Sequence, residues 1–118
     1  MFDKITETSL LYDFYGRLLT EKQRDVMNLY HQENYSLSEI SAEFGVSRQA
    51  VHISLKNAEK SLREYEEKLG LVKRFAESRA AIEGIDEKLR LLIGEHEDDA
   101  PLKARLEGIK AIIDDLEV

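Results

Sequence analysis

Residues 36–62, SLSEISAEFGVSRQAVHISLKNAEKSL, decide the fold. Ser36 and Glu39 have the S-x-x-E spacing of a capping box, in which side chain and backbone satisfy each other's orphan N–H groups and start a short helix. Ile40 and Phe44 stand one turn apart and give that helix an apolar face. Gly45 follows the last apolar position, where ending the helix needs a positive φ that Gly adopts at least cost. Val46 is placed to fill the angle between two helices. Ser47 is a good cap for a second helix beginning at Arg48. Val51, Leu55, Ala58 and Leu62 then recur at helical spacing. A small residue at Ser41, a turn at Gly45, apolar residues at 40, 44, 46 and 51 and a fresh cap at Ser47 favour a helix-turn-helix over a generic αα-corner.

The whole chain has 118 residues, enough for one domain or a small domain with an extension. Its 42% hydrophobic and 35% charged residues are those of a folded soluble protein rather than a disordered one. One proline, no tryptophan and few β-branched clusters favour an all-α protein. The absence of cysteine excludes disulfides, thiol nucleophiles and thiolate metal sites. No apolar run approaches the roughly 18 residues of a membrane span, and MFDKITETSLLYDFYG lacks the basic-then-apolar layout of a signal peptide. No membrane association and a cytoplasmic location are expected.

The net charge of −7 is unevenly spread. Residues 1–35 carry 4 basic and 6 acidic side chains, residues 36–63 carry 4 and 3, and residues 64–118 carry 9 and 15. The regional net charges are therefore −2, +1 and −6. From Arg48 to Arg63 the bases Arg48, Lys56, Lys60 and Arg63 face only Glu59, so the second helix of the motif is a basic element on an acidic protein.

Before the motif, residues 3–19 read as a helix, with Ile5, Leu11, Tyr12, Tyr15, Leu18 and Leu19 on one side and Leu10 and Phe14 widening the stripe. The helical spacing of Tyr12, Phe14 and Tyr15 favours core packing over base stacking. Thr20 and Gln23 form a second capping box, and the helix it starts carries Val26, Met27, Leu29 and Tyr30 and ends near Gln32. Tyr35 is positioned as a hydrophobic staple on Ile40 or as a loosely held surface residue.

After the motif, residues 48 to about 93 contain no strong stop. Val51, Leu55, Ala58, Leu62, Tyr65, Leu69, Val72, Phe75, Ile82, Ile85, Leu89 and Leu92 resemble a coiled-coil seam. About 45 helical residues would span close to 70 Å, far beyond a compact domain of this size, so a rod or a break is implied. Gly70 and Gly84 are the weak points, and Gly70, after Lys68 and Leu69, has the better helix-ending context. Residues 94–101, GEHEDDAP, read as a loop with Gly94 ending the helix. The last helix, about 101–117, places Leu102, Leu106, Ile109, Ile113 and Leu116 at 4-3-4-3 spacing. It forms an antiparallel hairpin with its predecessor, and a second copy or a partner protein would complete the apolar seam. The expected domains are a helix-turn-helix domain at 1–69 and a C-terminal helical extension at 70–118 that serves association.

No catalytic constellation is present: there is no phosphate loop, no Ser/His/Asp set in a recognisable context and no distinctive carboxylate pair. No enzyme activity and no cofactor are expected. Glu95-His96-Glu97-Asp98-Asp99 lacks the spacing and central Gly of a calcium loop and reads as a solvated acidic loop. His31, near a helix end, suits a partner of the C-terminal dipole. His52 falls on the outer side of the second motif helix, within reach of a base or phosphate.

LSEISAEFGVSRQAVHISLKNAEKSLREYEEKL (residues 37–69) is similar to promoter-reading region 4 of bacterial sigma factors, in which a V-S-R signature opens the second helix. LTEKQRDVMNLYHQENYSLSEIS (19–41) resembles the pattern preceding that motif. With LLYDFYGRLLTEKQ (10–23) and the charged extension, the arrangement resembles the YlxM family of small helix-turn-helix proteins from Gram-positive bacteria, over about residues 1–75. The resemblance implies a sigma region 4-like fold, in the winged-helix-like DNA-binding class but without a wing. It also implies an accessory or regulatory role in the signal recognition particle pathway, with the particle's RNA or its GTPases as partners.

Carried over by position, the base-reading residues fall on Arg48, Gln49, His52 and Ile53. Arg48 would read guanine or hold a phosphate and Gln49 would pair with adenine. Ser47 and Lys56 would hold phosphates, with Lys60 further along the same helix. Ala50 and Ile53 stand where sigma factors usually carry polar or charged residues, and Ser54 replaces a core aliphatic. The reading face is shorter and more apolar, which moves the expectation from promoter recognition toward a protein or RNA contact. Two readings follow. One is a nucleic-acid-binding regulator, dimeric through its C-terminal helices. The other is a protein-interaction module that modulates the targeting GTPases without binding DNA.

Overall fold

The computed structural model describes residues 4–116, and among them every regular element is helical. The expected start at residue 3, the side chain of Ile5 and the expected end at residue 117 lie outside the described residues. Six α-helices follow in order: α1 Lys4–Tyr15, α2 Glu21–Met27, α3 Leu37–Phe44, α4 Arg48–Leu69, α5 Leu71–Glu95 and α6 Ala100–Asp114. The chain divides into two compact units, Met1–Val72 and Lys73–Val118.

In the first unit the local chemistry acts as the spacing predicts. Both capping boxes close reciprocally: Gln23 N–H donates to Thr20 Oγ1 at 3.2 Å and Glu39 N–H to Ser36 Oγ at 3.1 Å, while the Gln23 and Glu39 side chains accept from the cap N–H groups at 3.1 Å. Gly45 ends α3 at φ 65°, and Val46 N–H reaches back to the Ser41 carbonyl at 3.1 Å, the bond that closes a left-handed helix end. Ser47 then accepts from Ala50 N–H at 3.0 Å and starts α4. The helix-turn-helix is therefore set by Gly45 and two serine caps.

Two boundaries differ from the periodicity. α1 stops at Tyr15 and tightens into a 3₁₀ turn, Gly16–Leu18, before Leu19 becomes extended. That tighter winding brings Leu19 into the core and leaves Leu18 54% exposed, although both belong to the apolar stripe in a continuous α-helix. Phe14 is also mainly outside the core, at 38% exposure. Beyond α2 the chain widens into a π turn, Asn28–Gln32, and Asn34 takes a positive φ of 58° to redirect it toward Ser36.

The core of the unit is collected on α4. Val51, Leu55, Ala58 and Leu62 form its inner ridge and are covered by Leu11, Tyr15 and Leu19, by Val26 and Met27 of α2 and by Ile40 of α3. α4 touches α1, α2 and α3, and none of the buried described residues is polar or charged apart from the tyrosine hydroxyl. Tyr35 and Val46 pack on the edge of this core, as the staple and the plug of the motif.

The long helical run breaks at Gly70, which takes φ 63° and donates its N–H to the Glu66 carbonyl at 2.8 Å. Gly84 lies within α5. Gly70 has no side chain with which to cap α5, so the first N–H groups of α5 are satisfied from elsewhere. Leu71 N–H donates to the Tyr15 hydroxyl at 3.0 Å and Val72 N–H to Glu66 Oε1 at 2.9 Å. The Tyr15 hydroxyl itself donates to Glu66 Oε1. Burial, and then the Glu66 carboxylate that accepts its proton, push the Tyr15 phenol above its ordinary pKa.

In the second unit α5 and α6 form the expected antiparallel hairpin. The connection spans only residues 96–99, because α5 continues through Gly94 to Glu95. Nothing forces a positive φ at Gly94, and glycine inside a helix costs only about 1 kcal/mol. Asp99 Oδ1 accepts from Leu102 N–H at 3.2 Å and Pro101 occupies the first turn of α6. Leu89 and Leu106 are buried between the helices. Asp86 and Lys110 pair across them at 3.2 Å, and Arg90 adds a second contact to Asp86 at 2.9 Å. The Lys110 ammonium holds the Asp86 carboxyl below the usual carboxylate range.

Tyr15→Phe removes an acceptor from Leu71 and a donor from Glu66 while keeping the ring. It is expected to lower stability by about 1–3 kcal/mol in urea titration. Wild-type stability is also expected to fall as pH rises above about 10, because the unfolded phenol ionises before the folded one. That loss is absent in the variant. For the hairpin the sign is reversed. Asp86 is ionised more readily folded than unfolded, so its contribution is present above its ordinary pKa and is lost as pH falls through the depressed value. Thermal melts between about pH 5 and about pH 3 are expected to show a smaller acid-induced loss for Asp86→Asn than for the wild type.

Candidate nucleic-acid interface

Burial of the Val51–Leu55–Ala58–Leu62 ridge determines which side of α4 is free. At about 100° per residue, the residues opposite that ridge are 49, 53, 56, 57, 60 and 64, with 48, 52 and 63 toward its margins. Arg48, Gln49, His52, Lys56 and Lys60 are all exposed, and with the Ser47 cap they occupy one side of one rigid helix. From Arg48 to Lys60 that side is about 18 Å long. Ala50 and Ile53 are exposed as well, Ile53 at 50%, so the apolar departures from the sigma pattern lie on the outer surface.

The residues differ in how free they are. Arg48, Gln49, His52 and Lys60 have no side-chain hydrogen bond or ion pair among the described residues. Ser47 already accepts from Ala50 N–H, which leaves its hydroxyl proton to offer outward. Lys56 pairs with Glu59 at 3.8 Å, and the same carboxylate lies 3.7 Å from His31 Nε2 of the π turn. His31 therefore faces α4 across the core edge, a placement that a dipole role at its own helix end does not require. Because Lys56 is mostly exposed, its pairing is weak and costs little to exchange for another anion.

Two further exposed side chains belong to this surface and are missing from the motif-based set. Arg63 lies one turn beyond Lys60 and extends the basic side of α4. Asn57 lies one turn beyond Ile53. Neither is part of a sigma-like signature; Arg63 counts among the bases of this helix in the sequence, and Asn57 is placed here by the helical wheel once the buried ridge is known. The bases Arg48, Lys56, Lys60 and Arg63 thus project from residues 48–63 of α4, where the one acid is Glu59, while Glu64, Glu66 and Glu67 follow in the rest of the helix.

The acidic connection does not form a cation site: among the described residues no group of three His, Asp or Glu side chains is disposed to hold a metal ion. Glu97 is instead taken by Lys103 at 2.6 Å. Among the described residues no helix is long and apolar enough to cross a membrane.

Comparison with known proteins agrees with the helix-turn-helix. The family model for UPF0122, the YlxM / p13-like helix-turn-helix proteins, matches residues 2–99. A UPF0122 protein of Thermoanaerobacter sp. (strain X514) is 44% identical over 116 residues, covering 98% of both chains. One from Caldanaerobacter subterraneus subsp. tengcongensis is 53% identical over 87 residues, 74% of each chain. One from Bacillus cereus (strain AH187) is 43% identical over 113 residues, 95% of this chain and 99% of the relative.

Proposed function

The chain belongs to the YlxM / p13-like family of helix-turn-helix proteins, and from that membership we propose that it is a regulatory protein that binds nucleic acid through the outer side of α4. The single observation that carries this reading is the placement of Arg48, Gln49, His52, Lys56 and Lys60 together on the free side of the motif's second helix. A helix of this kind offers its N-terminal residues to base edges while lysines and arginines along it neutralise phosphates. The resemblance to the YlxM proteins directs the role to the signal recognition particle pathway, acting in the cytoplasm, with DNA or the particle's RNA as the bound nucleic acid.

One module with so few phosphate contacts binds weakly at physiological salt, so a second copy is part of the proposal. The hairpin of α5 and α6 supports it: Ile85, Leu92, Ile109, Ile112 and Leu116 remain 40–67% exposed, more apolar surface than one hairpin covers by itself. Two chains joined through these helices would present two copies of α4.

The second reading, a protein-interaction module acting on the targeting GTPases, draws on the same residues differently. Residues 64–118 carry a net charge of −6 and suit a basic protein surface better than a phosphate backbone.

Duplex DNA and the particle's RNA, titrated by fluorescence anisotropy at about 50 and about 200 mM salt, separate the two readings. The expected outcome is binding that weakens steeply with salt and falls about tenfold or more with Arg48→Ala. Absence of binding at low salt, together with capture by the GTPases, would establish the protein-interaction reading instead. Light scattering at tens of micromolar is expected to give twice the 13.6 kDa chain mass, and Ile109→Glu with Ile112→Glu is expected to return it to the single-chain value.

A further inference from the structure

The apolar departure at Ile53 acquires a different meaning once its neighbours are placed. Gln49, Ile53 and Asn57 are spaced by four residues, so they form one continuous ridge along the outer side of α4. All three are exposed, and neither amide has a hydrogen-bond partner among the described residues. An unpaired amide lies one turn before an exposed isoleucine, and another lies one turn after it. Ala50, also exposed and small, borders Ile53 and keeps a groove floor within reach.

Each part of that ridge matches one feature of an A·T pair in the major groove. A Gln or Asn amide pairs bidentately with adenine N6 and N7, and an aliphatic side chain packs on the C5-methyl of thymine. Arg48 and Lys56, on the neighbouring row of the same helix, are placed for flanking phosphates. We propose that Gln49, Ile53 and Asn57 form an A·T-reading ridge, with Ile53 recognising the thymine methyl group, so that the preferred ligand of this surface is duplex DNA. RNA fits the ridge poorly for two independent reasons. Uracil has no C5-methyl group, and the major groove of A-form RNA is too deep and narrow for side chains to read. The proposal rests on the nucleic-acid reading of α4 and narrows it.

The probe is a pool of randomised DNA duplexes, enriched on the full chain at low salt, followed by resynthesis of the enriched duplex with every thymine replaced by uracil. The expected result is enrichment of A·T steps and an affinity about fourfold lower for each methyl lost from contact with Ile53. Ile53→Ala is expected to weaken binding to the thymine duplex by a similar factor and to leave binding to the uracil duplex unchanged, so that the two losses do not add. Gln49→Ala and Asn57→Ala are each expected to cost about tenfold and to relax the preference for adenine. Equal affinity for the thymine and uracil duplexes, or enrichment without A·T bias, overturns the ridge while leaving nucleic-acid binding intact. Tighter binding to RNA than to the enriched duplex does the same. No enrichment of any duplex overturns the ridge, and if the particle's RNA is not bound at low salt either, it overturns both readings. All four substituted positions, Arg48 included, are on the surface and away from the core, so circular dichroism of each variant is expected to match the wild type.

Discussion

The inner ridge of α4 is the constraint on which the first unit depends. Val51, Leu55, Ala58 and Leu62 are each at most 5% exposed, and burying side chains of this kind is worth about 1.5–3 kcal/mol for each of the larger ones. No short helix supplies enough surface to cover such a ridge by itself. α1, α2 and α3 do so jointly, each contributing a few side chains, and their order is what makes the motif. Because one side of α4 is committed to that core, the other is presented as a rigid outward surface. The placement of every candidate recognition residue follows from what is buried opposite it.

A second dependence runs through Tyr15. Its ring belongs to the core at 1% exposure, and its hydroxyl reaches the start of α5. A left-handed glycine can end a helix without assistance, but it cannot cap the next one. Tyr15 and Glu66 supply what Gly70 lacks, tying α1 and the end of α4 to the first turn of α5. The same tyrosine therefore fills the core and stabilises the helix break. These contacts favour the break at Gly70, whereas Gly84 remains helical.

The second unit is stabilised on different terms. Its buried apolar residues are few, and a charged pair, Asp86 with Lys110, crosses between its helices beside Leu89 and Leu106. Much of its aliphatic surface stays exposed beside many acidic residues. A surface of this composition suits association, whereas the basic side of α4 suits an anionic ligand. The basic stretch of α4 from Arg48 to Arg63 and the acidic hairpin accord with two different kinds of partner.

What was legible in the sequence was whatever depends on near neighbours. The two capping boxes, the serine cap at Ser47, the left-handed Gly45 and the helical period of the α4 ridge are decided within four residues of each position, and all of them stand in the fold. The helix-turn-helix and the helical hairpin follow from these local rules. The rest depends on contacts between distant residues. Leu18 and Leu19 are chemically alike, and only the 3₁₀ turn after Tyr15 decides which is inside. Local context already favours Gly70 over Gly84 as the break, but the hydroxyl that receives the first N–H of the next helix there comes from Tyr15, more than fifty residues away in sequence. Gly94 resembles a helix stop, yet the helix runs through it. For α4, sequence alone marked Arg48, Gln49, His52, Lys56 and Lys60 as a candidate set by analogy. Arg63 was already counted among the bases of that helix, and only the tertiary structure added Asn57 and aligned Ile53 between two free amides, because which side of a helix faces outward is determined by what packs on the other.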